Sequence, residues 1–586
     1  MSFVGEINRR KVFQVVAVYA VVAWLLIQIV DVINEPLGLP NWFDTAVIVA
    51  LAIGFPIAVI LAWAFDLTPE GVVKDQGTVQ SGGRRIEYVL IGLLVIAVGT
   101  LLYREFTPPE QQVEVVAEEF QREVLPNSVA VLPFENLTVD SEYAFFAPGV
   151  HDTILKELAK IRDLNVIART SVLQYADGLT SIEQIAEDLR VETVMEGSVQ
   201  YAEGRVLVTA QLIDPNTNTH LWSESYDREL EGIFEIQADI ATQIATALEA
   251  ELLPNERQSI ETPLTDSPEA YALYVRAVED SFQNQNASFE GQEPLLAALA
   301  DLDRATTLDP DFALAYAQKA YISLTFYSGN NDVVRAYANR ALELDPTIGL
   351  AQMVLGRLHQ AEWNEAEALR AYQQAEALSP NDPVVLQNFG IFHSFLGRHD
   401  EALRLVRRAT ELDPDNDNSY RWEGIAFRFA MDNEAATVAY ETTIALDPLE
   451  PTARFQLGFC YLSSGNLDAA VEQFRLAEEL FPDEAVGISS LAYMYRMAGM
   501  PEDATRLFQR WERAEELYAL AYPAPRINAY LAIENEERAL SEFRRFADDR
   551  VLWFVGEMFL KFNTWNDPIL DQPEFVEVRS RLGFRE

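Results

Sequence analysis

Two pairs of side chains have the composition of general acid–base machinery. His151 stands beside Asp152 at the start of an expected helix, and His220 lies on an expected strand with Asp227 further along it. An imidazole next to a carboxylate can move protons near neutral pH, the carboxylate fixing the ring's tautomer. Neither pair is accompanied by a glycine-rich phosphate loop, a nucleophile elbow or a metal-ligand spacing. The remaining histidines, His359, His393 and His399, are scattered, and no HExxH occurs. A single cysteine, Cys460, rules out an internal disulfide framework and a cysteine metal cluster. Beside Tyr461 on a helix it reads as a small buried apolar residue, not a reactive thiol. No catalytic residue, metal or cofactor is expected.

A second set of residues suits recognition. Met353, Arg357, Gln387, Arg421, Arg428, Phe455, Phe459, Tyr493 and Arg496 recur at matching phases of a long period. Guanidinium forks pair with carboxylates, and aromatic rings supply buried anchors, so such a stripe could hold an extended peptide. The plainer alternative is that these arginines pair with acids on adjacent turns of the same chain.

The period that sets those phases is marked by proline. Pro310, Pro346, Pro380, Pro414, Pro448 and Pro482 are spaced 36, 34, 34, 34 and 34 residues apart, several closing the phrase Leu-Asp-Pro. Leu457, Gly458 and Tyr461 fall on a first helix, and Ala470, Phe474 and Ala477 on a second. The same slots hold Leu355, Gly356, Ala368, Tyr372 and Ala375 one unit, and Gly390, Ala402 and Ala409 another. Small residues stand where two helices approach closely, larger ones fill the gaps, and proline ends the second helix. The pattern resembles the tetratricopeptide repeat. That resemblance implies a solenoid of helical hairpins whose concave face, built from first helices, binds a protein or peptide.

The chain has 586 residues, too many for one core, and a formal charge of −47 from 91 acidic and 44 basic residues. This balance argues against a nucleic-acid partner, which needs a basic footprint.

The first hundred residues are nearly unbroken apolar runs. Residues 12–33, 45–65 and 86–103 are expected to be three transmembrane helices, the shortest reaching roughly 27 Å. Arg9, Arg10 and Lys11 precede the first run, and Lys74, Arg84 and Arg85 lie between the second and third. The positive-inside rule then places the N-terminus in the cytoplasm and everything after residue 103 in the periplasm of a bacterial inner membrane. Asp31, Gln14 and Gln28 read as interfacial or helix-pairing groups rather than a transport path.

After a linker at 104–126, strands and helices alternate. Ser128–Phe134 is a strand, Gly149–Ile161 a helix, Leu164–Ala168 a strand and Ser181–Leu189 a Ser-capped helix. Strands at Thr193–Tyr201, Arg205–Ile213 and Thr219–Tyr226 and a long helix at Ile233–Leu253 complete the unit. Val129-Ala130-Val131-Leu132-Pro133-Phe134-Glu135-Asn136, Val166-Ile167-Ala168-Arg169-Thr170-Ser171, Glu196-Gly197-Ser198-Val199 and His220-Leu221-Trp222-Ser223-Glu224-Ser225-Tyr226-Asp227-Arg228 together resemble the TolB-like (FlgO-like) N-terminal domain. The resemblance implies a bacterial module often joined to tetratricopeptide repeats behind a cyclase or winged-helix domain. No such output domain precedes the apolar stretch here, so neither role is transferred.

The expected fold class is therefore multidomain: three transmembrane α-helices, a small TolB-like α/β domain and an all-α tetratricopeptide solenoid. The divisions are a membrane anchor at 1–103, a linker at 104–126, the α/β domain at 127–253, a linker at 254–266, repeats at 267–516 and a divergent helical cap at 517–586. The expected function is a non-enzymatic inner-membrane scaffold, with the lipid bilayer and a protein or peptide as partners, self-association being compatible. The alternative is a sensory or regulatory membrane subunit that signals to a cytoplasmic partner. A hydrolase or cyclase is disfavoured.

Overall fold

The computed structural model describes Tyr19, Ala23, Leu51 and residues 65–68, 71–74, 124–138, 146–229, 233–283, 293–326, 331–481, 485–518, 523–549 and 567–581. The chain divides into two compact units, Met1–Glu118 and Glu119–Glu586. In the first, β1 (Phe65–Thr68) and β2 (Gly71–Lys74) form an antiparallel hairpin in which Phe65 pairs with Lys74.

This unit corrects the expected fold class and the inner-membrane location. Among the described residues no helix is long and apolar enough to cross a membrane. The stretches 12–33, 45–65 and 86–103 lie outside the described residues apart from Tyr19, Ala23, Leu51 and Phe65, and Phe65 opens a strand where a helix was expected to end. The orientation argument falls with the spans. Residues 104–123, and residues 550–566 and 582–586 of the expected helical cap, also lie outside the described residues.

The second unit begins with a sheet of order β5-β3-β6-β7-β8. Its strands are β3 (Leu125–Val131), β4 (Glu135–Asn136, on β6), β5 (Asn165–Val166), β6 (Val191–Ala202), β7 (Arg205–Asp214) and β8 (Thr219–Glu229). β3 is parallel to β5 and β6, whereas β6, β7 and β8 form an antiparallel meander. Because side chains alternate along a strand, Val129 and Val131 face one core while Ala130 and Leu132 face another. Helix α1 (Phe146–Ala159) and α4 (Ile233–Ala247) cover the first face; α2 (Arg169–Leu173) and α3 (Ile182–Leu189) cover the second. The Ser181 side chain caps α3 by accepting from the Gln184 amide, as its position suggests. The expected helix to Leu253 stops at Ala247, and the expected linker contains α5 (Pro254–Glu261). Glu256 accepts from the Leu253 amide there, closing the helix start.

Among the described residues, eight helical hairpins follow. They are α6/α7 (Pro268–Gln283, Glu293–Leu308), α8/α9 (Ala313–Phe326, Asn331–Leu344), α10/α11 (Gly349–Ala361, Glu365–Leu378) and α12/α13 (Pro383–Phe395, His399–Leu412). Next come α14/α15 (Asp417–Phe429, Asn433–Leu446), α16/α17 (Pro451–Ser463, Leu467–Leu480), α18/α19 (Ala485–Met497, Pro501–Tyr518) and α20/α21 (Pro523–Ala532, Glu536–Asp549). A 3₁₀ turn (Pro568–Asp571) and α22 (Pro573–Arg581) close the described chain. The 34-residue beat arises because each hairpin needs one small residue at its crossing. A Cβ on Gly458 would lie 2.5 Å from a ring carbon of Phe474 and 3.1 Å from the Ala470 carbonyl oxygen.

The α/β layer and the array are packed together. Val150 and Ile154 of α1 share a core with Tyr271, Val275 and Phe312 of the first hairpins. Thr153 Oγ1 lies 2.8 Å from Tyr271 Oη, and Lys156 Nζ donates to Asp152 at 2.7 Å and Tyr274 at 2.8 Å. Further along, the inter-repeat loops take over. The Asn381 side-chain amide donates to the carbonyls of Ile161 (2.9 Å) and Leu164 (2.7 Å), and the Ala168 amide donates to the Leu412 carbonyl at 2.7 Å. Ser171 Oγ donates to Asp413 at 2.8 Å and accepts from the Asp415 amide at 3.0 Å, while Gln174 donates to Asp415 at 2.6 Å. These loops follow Leu378-Ser379-Pro380 and Leu412-Asp413-Pro414, so the proline-marked turn that ends a helix also docks the sheet domain.

Two outcomes follow from this packing. Gly458→Ala should destabilise the array by about 1–3 kcal/mol, read as a lower midpoint in urea denaturation, because the helix crossing must open. Asp413 is 3 % exposed, and burial pushes its carboxyl up to about 6, against the pull of Asn416 and Ser171 hydrogen bonds. A folded carboxyl above its ordinary 3.8 holds its proton better than the unfolded one, so stability falls as pH rises between about 4 and 6. The Asp413 contribution to that fall is roughly 3 kcal/mol. Urea titrations across this range should show the fall in the native chain and a flattened profile in Asp413→Asn.

Candidate partner-binding groove

The stripe residues are the fifth, ninth and twelfth positions of α10, α12, α14, α16 and α18. Helical spacing places these on one face, and the hairpins stack that face into a ladder. The rungs are packed. Met353 is fully buried, and Gln387 is buried with its amide donating to Ser419 Oγ at 2.9 Å on the next first helix. Arg428 is 1 % exposed, lies 3.6 Å over the Phe459 ring and donates to Gln456 Oε1. Burial pushes its guanidinium below the ordinary arginine range. Phe455 and Phe459 are likewise buried. Arg357 and Arg421 are half-buried; Arg421 donates to Asn418 and lies 5.1 Å over the Trp422 ring.

The last rung is different in kind. Tyr493 and Arg496 both donate to the carboxylate of Asp567, at the head of the 3₁₀ turn. Arg496 also lies 5.1 Å over the Tyr493 ring. Asp567 itself is 1 % exposed, and burial together with this carboxylate pushes the Tyr493 hydroxyl well above its usual range. Here an arginine and an aromatic of the stripe hold a carboxylate, as the residue types suggest, but the carboxylate comes from the same chain. The adjacent-turn alternative does not describe this pair, since Asp567 is 71 residues from Arg496. Sequence reasoning missed Asp567. Its one signal was Asp before Pro, a helix-start pattern whose Oδ1 indeed accepts from the Ile569 amide at 3.0 Å.

The acid–base candidates come apart. His151 is buried with Nε2 2.8 Å from the Val131 carbonyl, an arrangement in which Nε2 carries the proton. Burial pushes that imidazole down to about 4, so it is neutral near pH 7. Asp152 turns to Lys156 instead. Burial alone would raise the Asp152 carboxyl; Lys156 and Arg169 hold it below its usual value. His220 is exposed and lies roughly 23 Å from Asp227 along the same strand; Asp227 pairs with Arg205 of β7 instead. Trp222 and Tyr226 pack into the core beneath β8. Cys460 is buried, and burial pushes its thiol up, away from reactivity. Among the described residues no group of three or more His, Cys, Asp or Glu could hold a metal ion.

A crevice of about 630 Å³ opens past the carboxyl end of β3, beside the middle of β6 and β7. Glu135, Asp177 and Glu196 line it, an acidic wall that repels phosphate.

Comparisons with known proteins follow this division. Residues 125–243 match the family model of the HilA/YgeH-like transcriptional regulator, second domain. Residues 358–421 and 451–484 match tetratricopeptide-repeat models. The TolB-like resemblance is not shown by these matches. A Rhizobium meliloti (strain 1021) protein named "Putative adenylate cyclase 3" is 38 % identical over 199 residues, 34 % of this chain and 33 % of that protein. The match thus spans about a third of the relative's length. Among solved structures, a tetratricopeptide repeat protein from Parabacteroides merdae is 13 % identical (TM-score 0.33), covering 44 % of this chain and 99 % of its own. Pseudomonas aeruginosa pilF is 19 % identical (TM-score 0.30), covering 39 % of this chain and 97 % of its own. The C-terminal region of this chain is a tetratricopeptide-repeat array.

Proposed function

We propose that this chain is a protein-binding scaffold without chemistry of its own, its array holding a protein or peptide partner. The observation that carries this reading is the last rung, where Tyr493 and Arg496 hold a carboxylate within the array. Arg357 and Arg421, half-buried at matching positions, extend the same chemistry along the face. Arginine and aromatic anchors of this kind select acidic segments. The chain's charge of −47 disfavours any partner that is acidic throughout, so the favoured ligand is a short acidic segment in a less acidic protein.

A second reading makes the chain a regulatory subunit that passes a signal to a cyclase or a transcription regulator. The matches to the HilA/YgeH-like domain and to the cyclase-named relative favour it. The chain would act there through binding. His151 is neutral and tied to a carbonyl, and the acidic crevice opposes a nucleotide phosphate.

Two measurements test the proposal. Purified chain given ATP and Mg²⁺ or Mn²⁺ should form no cyclic nucleotide above a heat-denatured control; sustained turnover would overturn the non-enzymatic reading. On an array of acidic, neutral and basic peptides the chain should retain acidic ones, and Arg357→Ala with Arg421→Ala should weaken binding at least about tenfold. Equal retention of all three classes, or none, would contradict an arginine-lined groove.

A further inference from the structure

The segment that fills the last rung is more than the end of a stack. A terminal cap covers the final hairpin, which among the described residues is α20/α21. The Asp567–Arg581 segment packs on α21, with ring centroids of Phe575 and Phe543 5.9 Å apart. Yet it also reaches back to α18, the preceding first helix, and meets it at its ninth and twelfth positions. Those are the positions a bound peptide would use. One Asp567 oxygen takes Tyr493 and Arg496, and the other starts the turn by accepting from the Ile569 amide. Leu570, Phe575 and Val578 are then almost fully buried, and Ile569 nearly so. Arg579 closes the turn by donating to the Leu570 carbonyl at 3.3 Å.

We propose that Asp567–Arg581 is a built-in occupant of the groove, and that a partner enters by offering the same pattern: an acidic residue, proline, then an aliphatic pair. This rests on the scaffold reading and adds to it both the ligand class and its regulation. The carboxylate supplies the charge that Arg496 requires, and proline sets the backbone for the turn that presents the aliphatic residues. The internal segment is tethered, so its effective concentration exceeds that of a free peptide and the native groove stays closed to weak ligands. A partner displaces it by binding more rungs, with Arg421 and Arg357 further along the face.

The probe is a labelled peptide of residues 567–581, acetylated at its N-terminus, titrated by fluorescence anisotropy into the full chain. The native chain should bind it weakly. Asp567→Ala, which loosens the internal segment, should bind it at least about tenfold more tightly. Adding Arg496→Ala to that variant should remove the gain, and a peptide carrying Asp567→Asn should bind less well than the native peptide. Circular dichroism establishes that each variant is folded. If Asp567→Ala does not fold, hydrogen exchange at the Leu570 and Phe575 amides of the native chain replaces it. Excess peptide should then accelerate exchange there, and an unchanged rate would overturn the proposal. Equal peptide binding by native and Asp567→Ala chains, or none by either, would make the segment a fixed cap and leave binding elsewhere on the array untouched. Concentration-dependent dimerisation of the native chain through exchanged C-terminal segments would also overturn it.

Discussion

A carboxylate removed from water must be satisfied by hydrogen bonds, and Asp413 is such a group. It sits in an inter-repeat loop and draws Ser171 of the α/β domain onto the array. Asn381, one repeat earlier, does the same with two carbonyls at the end of α1. Each loop would otherwise expose the polar backbone that ends a helix; here the sheet domain supplies the partners. The two domains are thereby bound along several repeats, and the first hairpins share a hydrophobic core with α1. A scaffold of this build presents one face, the ladder of first helices, and commits its loop edge to internal use.

That division explains the arginines. In a chain with 91 acidic residues, guanidinium groups would ordinarily be spread over surface ion pairs worth little each. Arg404 and Arg506 behave in that way, pairing with Glu401 and Glu478 on the outer surface. Arg428 and Arg496 instead lie inside the array over aromatic rings, where charge is costly and direction matters. Arg496 meets a carboxylate there, and Arg428 meets Gln456 and the Phe459 face.

Repetition made much of this legible in advance. The Gly458–Phe474 crossing recurs as Gly356–Tyr372 and Gly424–Tyr440, so one local rule, read several times, locates these hairpins. Alternation along Val129–Leu132 likewise shows a strand covered on both faces. Long-range pairings left no comparable trace. Ser171 and Asp413 are 242 residues apart, and each is an ordinary loop residue in its own neighbourhood. Asp567, an ordinary acid before a proline in the sequence, starts the 3₁₀ turn and also takes Arg496. The apolar runs near the N-terminus misled for a related reason. Hydropathy reports what a stretch avoids, not which element it forms, and Phe65, the last residue of the second run, opens a hairpin that ends at Lys74.

The account stands or falls on the sheet domain and the array being one body. The most direct measurement is hydrogen exchange at the Ala168 amide, which donates across the junction to the Leu412 carbonyl in an otherwise short connecting stretch. A junction that opens only with the fold predicts protection comparable to the Val129 and Val131 amides of β3, roughly a thousandfold or more over a free chain. Exchange at the rate of an exposed loop, with β3 still protected, would show that the two domains merely touch and would contradict the account.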